Sequence, residues 1–304
     1  MRSRIKVGYA LGHMPCDITI GLYGTYLLLF MNKVVGLDPI RCGVVLTVNS
    51  FLDALSVLLI GFIIDRFFPF SGNIDSTKFW HLVGCLTVPL LLPLHFIPPP
   101  GYDNDNINQN ETLGYFLVVA GLMPFAFAFL QLPHLIMVGK LASDDSENVT
   151  LQSIKNAMTV LAIIVIHILA TFLFAFDTEI EEINNTFNST SSDFVSWEDQ
   201  DLFMYLGIGG AAFGFLSTMV FHSLVKSTDL NTKDSTKPKS SSLISGFIWF
   251  KRIPFYSLVA FYSLTWSNFL LVQTYLPFYL QLTLGLDKKF VSIIPLVRSR
   301  VKTF

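Results

Sequence analysis

Long apolar runs, separated by short polar stretches, follow one another along most of the chain. A helix needs about 20 mostly apolar residues to cross a bilayer. Seven runs reach that length, at about 7–30, 41–64, 79–97, 114–137, 156–176, 202–222 and 253–280. An eighth run starts near Phe290. The pattern predicts an all-α, multi-pass membrane protein rather than a soluble domain with alternating polar faces.

Composition supports this prediction and excludes other classes of protein. Hydrophobic residues make up 52% of the chain and charged residues only 14%, against about 25% charged residues in soluble domains. A net charge of −2 provides no basic surface for nucleic acid, and no nucleophile–base pair indicates an enzyme. The cysteines Cys16, Cys42 and Cys85 lie in or beside apolar runs. We therefore expect no disulfide framework, no metal site and no cofactor.

The positive charges predict the orientation in the membrane. With the N-terminus in the cytosol, thirteen of the 20 lysines and arginines fall in cytosolic segments. Only four fall on the opposite side, namely Lys33, Arg41, Lys288 and Lys289. This is the asymmetry that the positive-inside rule describes, so we expect a cytosolic N-terminus.

Glycosylation sequons agree with that orientation. Those at Asn110, Asn184 and Asn188 fall in non-cytosolic loops, where they can carry glycans, whereas the one at Asn148 falls in a cytosolic loop. A seven-helix receptor would need its N-terminus outside the cytosol. That orientation would place the first three sequons in the cytosol and most of the positive charges on the wrong side.

Two stretches at an offset of 249 residues resemble each other without a gap. "TYLLLFMNKVVGLDPIRCGVVLTV" (25–48) and "TYLPFYLQLTLGLDKKFVSIIPLV" (274–297) share Thr-Tyr-Leu at the start and Gly-Leu-Asp in the middle. The seventh helix thus repeats the first, as expected for two parallel six-helix halves. We predict an N-terminal bundle at 1–222, a cytosolic linker at 223–252 and a truncated second bundle at 253–304.

Several motifs resemble those of one superfamily of transporters. "GFIIDR" (61–66) is similar to the loop motif between the second and third helices of the major facilitator superfamily. "YALGHMPCDITIGLYGTYLLLFMNKVVGL" (9–37) and "FLDALSVLLIGFIIDR" (51–66) resemble the first two helices of its glycoside–pentoside–hexuronide cation symporter branch. "QTYLPFYLQLTLGLDKKFVSIIPLV" (273–297) is similar to an animal subfamily implicated in cysteine import into lysosomes and melanosomes. The resemblance implies the major facilitator fold, here a six-helix N-terminal bundle with the first one or two helices of the C-terminal bundle.

The same resemblance implies a function. It predicts a symporter that moves a small polar solute, a sugar or an amino acid such as cysteine, across a lysosomal or plasma membrane by alternating access. The apparent truncation leaves an alternative, a transport-inactive isoform that associates with a full-length copy and modulates it. Because alternating access needs two halves around one site, we expect the chain alone not to transport, and to be degraded or to associate with a full-length copy.

Asp53 lies in the second apolar run, near the bilayer midplane, where a carboxylate is costly and indicates function. On a helix, Asn49 and Ser56 share its face and could hydrogen-bond to it. In the symporter branch this stretch binds the coupling cation through two carboxylates four residues apart. Asp53 matches the first, but Val57 stands at the second position. Because Val57 replaces the second carboxylate, the resemblance favours coupling to H⁺ over Na⁺. The alternative role of Asp53 is a hydrogen bond to a neighbouring helix.

Asp17 is a second midplane acid, in the first helix, with His13 one turn earlier and able to pair with it. The matching acid in the symporter branch faces the sugar cavity, which implies a role in binding substrate or proton. A polar clamp between helices is the alternative. Lys155 stands where the branch has arginine, so it could neutralise Asp17 or Asp53, or extend to the membrane surface.

A charged motif ends the second helix. By resemblance, Gly61, Asp65 and Arg66 belong to a cytosolic gate that holds the two halves of a facilitator together in one state. The same charges could also act only as the signal that stops the helix at the membrane surface.

Overall fold

The computed structural model describes residues 2–67, 75–184, 194–230 and 249–301. The long helices in these ranges are α1 (Ser3–Leu22), α2 (Pro39–Arg66), α3 (Ser76–Leu91), α4 (Gln109–Leu141), α5 (Asp145–Asn184), α6 (Gln200–Leu224), α7 (Ile253–Phe278) and α8 (Phe290–Val301). Short helical turns lie at Pro93–Phe96, Trp197–Asp199, Ser227–Leu230 and Trp249–Lys251. Within the described ranges no residue belongs to a β-strand.

Seven spans among the described residues are long and apolar enough to cross a membrane, in agreement with the seven apolar runs. The helix boundaries differ most at α5, which begins at Asp145 rather than near residue 156. Residues 145–155 are polar, and hydropathy cannot detect a helix that continues beyond the apolar layer. The predicted linker at 223–252 lies largely outside the described residues, so the domain boundaries stay a prediction.

Polar residues just before the apolar runs determine where two helices begin. The Asp38 carboxylate accepts a hydrogen bond from the Arg41 backbone N–H at 3.0 Å, and Pro39 occupies the first position of α2. Asp75 caps α3 by accepting from the Thr77 N–H at 2.9 Å. Both carboxylates satisfy N–H groups that have no partner inside the helix.

The first helix lies at the centre of the bundle and is the most buried of the spans. It packs along α5 and α6, whereas α4 packs against both α2 and α3. Beyond Leu22 the first span continues through π-helical turns as far as Val34. Aromatic rings fill the space around these turns, where the Phe30 ring lies 5.4–6.3 Å from the rings of Phe96, Phe116 and Phe203. In a bilayer such close packing, rather than exclusion of water, holds helices together.

Gly84 allows α3 and α4 to approach closely. A Cβ at this position would lie 2.3 Å from the Leu130 backbone nitrogen and 2.6 Å from the Phe129 carbonyl carbon, against 3.4–4 Å for an ordinary contact. Small residues serve this purpose at many helix crossings in membranes. The crossing therefore depends on the absence of a side chain at Gly84.

The sequence repeat is confirmed in the backbone. After α1 the chain forms a π-helical turn at Phe30–Val34, and after α7 it forms one at Tyr279–Thr283, at the same offset of 249 residues. Each turn leads to a glycine with positive φ, 67° at Gly36 and 61° at Gly285, where other residues would be strained. The two helices therefore end in the same local structure, as repeated halves require.

The seventh helix contacts the first bundle mainly near its end. We call the membrane side on which α1 begins the N-side and the opposite side the far side. On the far-side half of α7, Gln273 Nε2 donates to Thr25 Oγ1 at 3.1 Å and lies 3.4 Å from the Gly21 carbonyl oxygen. A Cβ on Gly24 would lie 2.8 Å from the Gln273 side chain, so this glycine makes room for it. Residues 256–268, nearer the N-side, are exposed.

A buried ion pair makes a second far-side contact. Lys288 Nζ lies 2.9 Å from Asp199 Oδ1, and the two side chains are 4% and 2% exposed. This pair joins the connection between α7 and α8 to the start of α6, while α8 packs along α5. We call the Lys288–Asp199 pair and the Gln273 contacts the far-side latch. The contacts that the described residues of the second repeat make through Gln273 and Lys288 thus lie on the far side, while residues 256–268 of α7 are exposed.

Candidate functional site

Asp17 lies inside the first bundle, between α1 and α5. Its side chain is 6% exposed, and its Oδ2 accepts a hydrogen bond from Thr159 Oγ1 at 3.0 Å. His13, one turn earlier on α1, places Nε2 3.7 Å from Asp17 Oδ1. The predicted pairing of His13 with Asp17 is therefore present, and Thr159 completes a three-residue contact across two helices.

Three further polar groups lie beside this contact without a protein partner among the described residues. They are Tyr9 OH, His13 Nδ1 and His134 Nδ1, all with almost no exposed surface. Their rings adjoin, since the His134 ring lies 4.3 Å from the Tyr9 ring and 5.0 Å from the His13 ring. Buried polar atoms without partners are costly. Their grouping in one place therefore indicates a position for water or a polar ligand.

The ring orientation of His134 follows from one hydrogen bond. Its Nε2 lies 2.7 Å from the Tyr9 carbonyl oxygen, which can only accept, so Nε2 carries the proton. The Nδ1 lone pair is then an acceptor directed into the cluster, next to the donor hydroxyl of Tyr9. The cluster thus offers both donors and acceptors to a ligand with hydroxyl or amino groups.

Lys155 supplies the positive charge of this site. It lies on α5, half-buried, and its ammonium acts electrostatically on Asp17, His13 and His134. Lys155 stands one helical turn before Thr159, which bonds to Asp17, and its role in neutralising Asp17 or Asp53 stays a prediction. We call Tyr9, His13, Asp17, His134, Lys155 and Thr159 the α1 polar cluster.

This arrangement can exchange protons and bind a small polar molecule. Asp17 has one hydroxyl donor and one imidazole within reach, so it can be ionised when Lys155 or a protonated His13 compensates its charge, and neutral when they do not. Acidic and imidazole groups inside a membrane protein are costly and mark the routes of substrates and protons. The geometry therefore suits coupling between protonation and binding of a solute.

Asp53 is placed differently from the expectation. Its side chain is exposed on α2, which packs chiefly against α4. Asn49 Nδ2 donates to the Ala120 carbonyl oxygen of α4 at 2.8 Å, and Ser56 Oγ donates to the Asp53 main-chain oxygen at 2.8 Å. The helical projection suggested that Asn49 and Ser56 could bond to the Asp53 carboxylate. Neither side chain does so. Asp53 lies outside the α1 polar cluster, and a cation site there stays a prediction.

The remaining predicted residues lie at the ends of helices. Gly61, Asp65 and Arg66 occupy the last turns of α2 on the N-side, with both charged side chains exposed, and the loop that follows at 68–74 is not described. Their gate role stays a prediction. Asn110, in the first turn of α4, is exposed and accepts from Arg41 Nη2 at 3.2 Å.

Two other predicted glycan acceptors lie at or beyond the C-terminal end of α5. Asn184 is the last residue of α5, and its side chain lies outside the described part of the chain. Asn188 lies outside the described residues entirely. Their glycosylation stays a prediction.

Sequence reasoning missed His134 and Thr159. His134 lies in the apolar run "LQLPHLIM", and a histidine in such a run is itself a signal of function. Thr159 gave no such signal, because a threonine in a membrane helix usually bonds to its own backbone. Indeed Thr159 Oγ1 also lies 3.2 Å from the Lys155 carbonyl oxygen. Only the packing of α5 against α1 reveals that it reaches Asp17.

A comparison with known families decides the class of the protein. The family described as MFS/sugar transport protein matches residues 8–299. The chain belongs to this family. The major facilitator fold predicted from the sequence motifs is thereby confirmed, and the seven apolar spans make it a multi-pass membrane protein. Members of this family are transporters, and the apolar spans indicate that this chain lies in a lipid bilayer.

Relatives are found in animals and bacteria. The chain is 28% identical to human major facilitator superfamily domain-containing protein 12 over 96% of this chain and 62% of the human protein. It is 23% identical to the uncharacterized symporter YnaJ of Bacillus subtilis, over 80% of this chain and 47% of that protein. The putative glycoside/cation symporter YagG of Escherichia coli is 26% identical over 49% of this chain and 30% of its own length. The chain thus spans about three fifths of the length of its human relative, and the family includes proteins named as symporters.

Proposed function

We propose that the chain supplies the first helical bundle and the binding site of a secondary transporter that couples a small polar solute to protons. The α1 polar cluster carries this proposal, because it combines a buried acid, two histidines, a lysine and unpartnered polar atoms in one place. A polar clamp between α1 and α5 would need only the hydrogen bond from Thr159 to Asp17, so the further unpartnered polar atoms favour a ligand site. The cluster lies among α1, α4 and α5 of the first bundle, and α1 is a helix that also meets the second repeat, at whose interface with the first transported solutes bind.

Alternating access is the mechanism that the far-side latch supports. Gln273 and Lys288, both from the second repeat, bind Thr25 and Asp199 of the first bundle on the far side. The N-side half of α7 lies away from the bundle at the same time. This is the arrangement expected for a site open to the N-side, and rocking of the repeats would open the far side in exchange. With the N-terminus in the cytosol, the described conformation faces the cytosol.

Protons rather than sodium fit the chemistry of the site. Na⁺ needs several oxygen ligands, whereas Asp17 is the acid of the α1 polar cluster, and its neighbours include two imidazoles and an ammonium group. Val57 likewise replaces the second carboxylate of the symporter branch on α2. We infer that Asp17 gains and loses the coupled proton, with His13 as its exchange partner.

The solute is a small polar molecule with hydroxyl or amino groups, a sugar or an amino acid such as cysteine. The mixture of donors and acceptors around Tyr9 and His134 supports this class. The similarity to human major facilitator superfamily domain-containing protein 12 supports a facilitator of the animal type, and the resemblance of residues 273–297 to an animal subfamily is the ground for proposing a lysosomal or plasma membrane. The glycoside/cation symporter named in the bacterial relative supports a sugar.

Solute binding to the purified chain in liposomes tests this proposal. L-cysteine and a panel of hexoses are offered at several pH values, with and without Na⁺. The proposal predicts binding that depends on pH, needs no Na⁺ and is abolished by Asp17→Asn, with Asp201→Asn, at the start of α6, as a control. Binding that depends strictly on Na⁺ at constant pH contradicts the proton assignment.

A second function is favoured by the exposed N-side half of α7. Lipid can cover the apolar residues of this stretch, but the exposed polar side chain of Asn268 would be covered if the chain associated with a longer copy of the same protein. In that case the chain binds the solute but does not move it, and it alters uptake by the longer copy when both are reconstituted together. A change in the uptake by the longer copy when this chain is added distinguishes this function from the first.

A further inference from the structure

A second group of chemically active side chains lies near the N-side, outside the α1 polar cluster. His81 and Cys85 stand one turn apart on α3, and His222 faces them from the last turns of α6. One ligand atom from each lies within 4.8 Å of the other two. His81 and Cys85 are buried and His222 is half-buried, so the group reaches the bundle edge at one side only.

The atoms converge on one nitrogen of His81. Its Nδ1 lies 3.3 Å from His222 Nε2 and 3.3 Å from Cys85 Sγ. Its other nitrogen, Nε2, lies 3.3 Å from the Gly12 carbonyl oxygen on α1. A carbonyl only accepts, so Nε2 carries the ring proton and Nδ1 presents its lone pair to the thiol and to His222. Histidines that bind metals are held in this way, with the second nitrogen donating to a carbonyl or carboxylate.

The separations are those of a metal site. In a tetrahedral zinc site the metal lies about 2.0–2.1 Å from nitrogen and about 2.3 Å from sulfur, which places ligand atoms roughly 3.3–3.6 Å apart. The two separations from His81 Nδ1 already have this value. Two nitrogens and one sulfur are also the ligand types that Zn²⁺ prefers, whereas Mg²⁺ and Ca²⁺ require oxygen.

We propose that His81, Cys85 and His222 bind one Zn²⁺ ion between α3 and α6, at the N-side end of the first bundle. On binding, Cys85 loses its thiol proton to solvent and coordinates as thiolate, and the fourth position is open to water at the half-buried edge. The ion holds α3 to α6 beside the α1 polar cluster, since the His81 ring lies 5.5 Å from the His134 ring. From the spacing of the cysteines alone we expected no metal site. The proposal revises that expectation, because two of the ligands are histidines far apart in sequence.

Lys78 is the charged group that opposes metal binding. Its ammonium acts electrostatically on His222, but its Nζ is held by the main-chain oxygens of His222 and Val225 at 3.1 and 2.5 Å. Those carbonyls belong to the C-terminal end of α6 and offset its charge. The thiolate of Cys85 offsets one charge of the metal, so the ion adds a single net positive charge.

Metal titration of the purified 304-residue chain in detergent tests the site. The chain carries an affinity tag without histidine or cysteine and is first freed of metal with a chelator. Zn²⁺ is expected to bind at one equivalent, and Co²⁺ is expected to give the absorption of a tetrahedral ion with a thiolate ligand. Cys85→Ser is expected to remove that absorption and to weaken Zn²⁺ binding at least about 100-fold. Cys42→Ser is the matched control, because Cys42 is also buried but donates to the Leu37 carbonyl oxygen elsewhere in the bundle.

A measurement on the unsubstituted chain covers the case in which Cys85→Ser does not fold. Zn²⁺ is expected to slow alkylation of Cys85 by a small maleimide at least tenfold, as read by mass spectrometry of the peptides, while the alkylation of Cys42 stays unchanged. The site is overturned if Zn²⁺ protects neither cysteine or both equally. It is also overturned if a folded Cys85→Ser chain binds Zn²⁺ as the unsubstituted chain does.

Discussion

Lys288→Met is the substitution that most sharply tests the far-side latch. Lys288 and Asp199 are 4% and 2% exposed, and their charged atoms lie 2.9 Å apart. Asp199 keeps the hydrogen bond from the Ser196 N–H but loses the buried cation, and removing one partner of a buried ion pair costs about 3–5 kcal/mol. At about 1.4 kcal/mol per tenfold change, opening of the latch becomes about 10²–10⁴ times more frequent.

The neighbouring residue provides a matched control. Lys289 Nζ lies 3.2 Å from Asp287 Oδ2, a similar separation, but those side chains are 36% and 39% exposed. An exposed pair contributes about 0–1 kcal/mol, so Lys289→Met changes the opening frequency by about fivefold at most. The two substitutions therefore remove the same chemical group from adjacent positions with different burial.

Amide hydrogen exchange at the start of α8 measures the opening. The Val291 N–H donates to the Lys288 carbonyl oxygen and the Ile293 N–H donates to that of Lys289, so both amides exchange when this segment opens. Lys288→Met is expected to accelerate their exchange by at least about 100-fold and Lys289→Met by less than tenfold. Equal acceleration by both variants, or none by Lys288→Met, refutes the latch.

Two further predictions concern packing and topology. Gly84→Ala is expected to destabilise the bundle by about 1–3 kcal/mol in thermal unfolding, because its Cβ would meet the α4 backbone. Gly43 has open space around it, so Gly43→Ala is expected to be neutral or stabilising. A smaller loss of stability at Gly84 than at Gly43 contradicts the close crossing. Asn184 and Asn188 are expected to carry glycans and Asn148 none, and a glycosidase-sensitive mass shift that only Asn148→Gln removes contradicts the proposed orientation.

The fold could be predicted from the sequence because the bilayer restricts its possibilities. An apolar run of spanning length can only be a helix, so the number of spans follows from hydropathy. The repeat at an offset of 249 residues also holds in detail, down to the π-helical turns before Gly36 and Gly285. Helix ends were predicted less well, since the polar start of α5 does not differ in composition from a loop.

The site could be predicted only in part. A helical projection correctly joined His13 to Asp17, because one helix fixes the distance between residues four apart. It failed for Asn49, Ser56 and Asp53, because shared direction on a helix does not determine which neighbour each side chain meets. Asn49 instead bonds to α4.

Contacts between different helices could not be found in a single sequence at all. His134 and Thr159 reach the α1 polar cluster from α4 and α5. Likewise, His222 reaches α3 from a position more than a hundred residues away along the chain. Such contacts depend on how the helices pack.

Calorimetric binding of L-cysteine and of hexoses to the purified chain, in buffers of different ionisation enthalpy, tests the central claim most directly. This measurement reports solute binding and proton exchange together and does not require transport. We predict that one of these solutes binds with exchange of a proton, that Asp17→Asn removes the proton exchange and weakens binding, and that Asp53→Asn preserves both. Binding that is unaffected by Asp17→Asn, or proton exchange that only Asp53→Asn removes, would contradict the assignment of the α1 polar cluster as the coupling site.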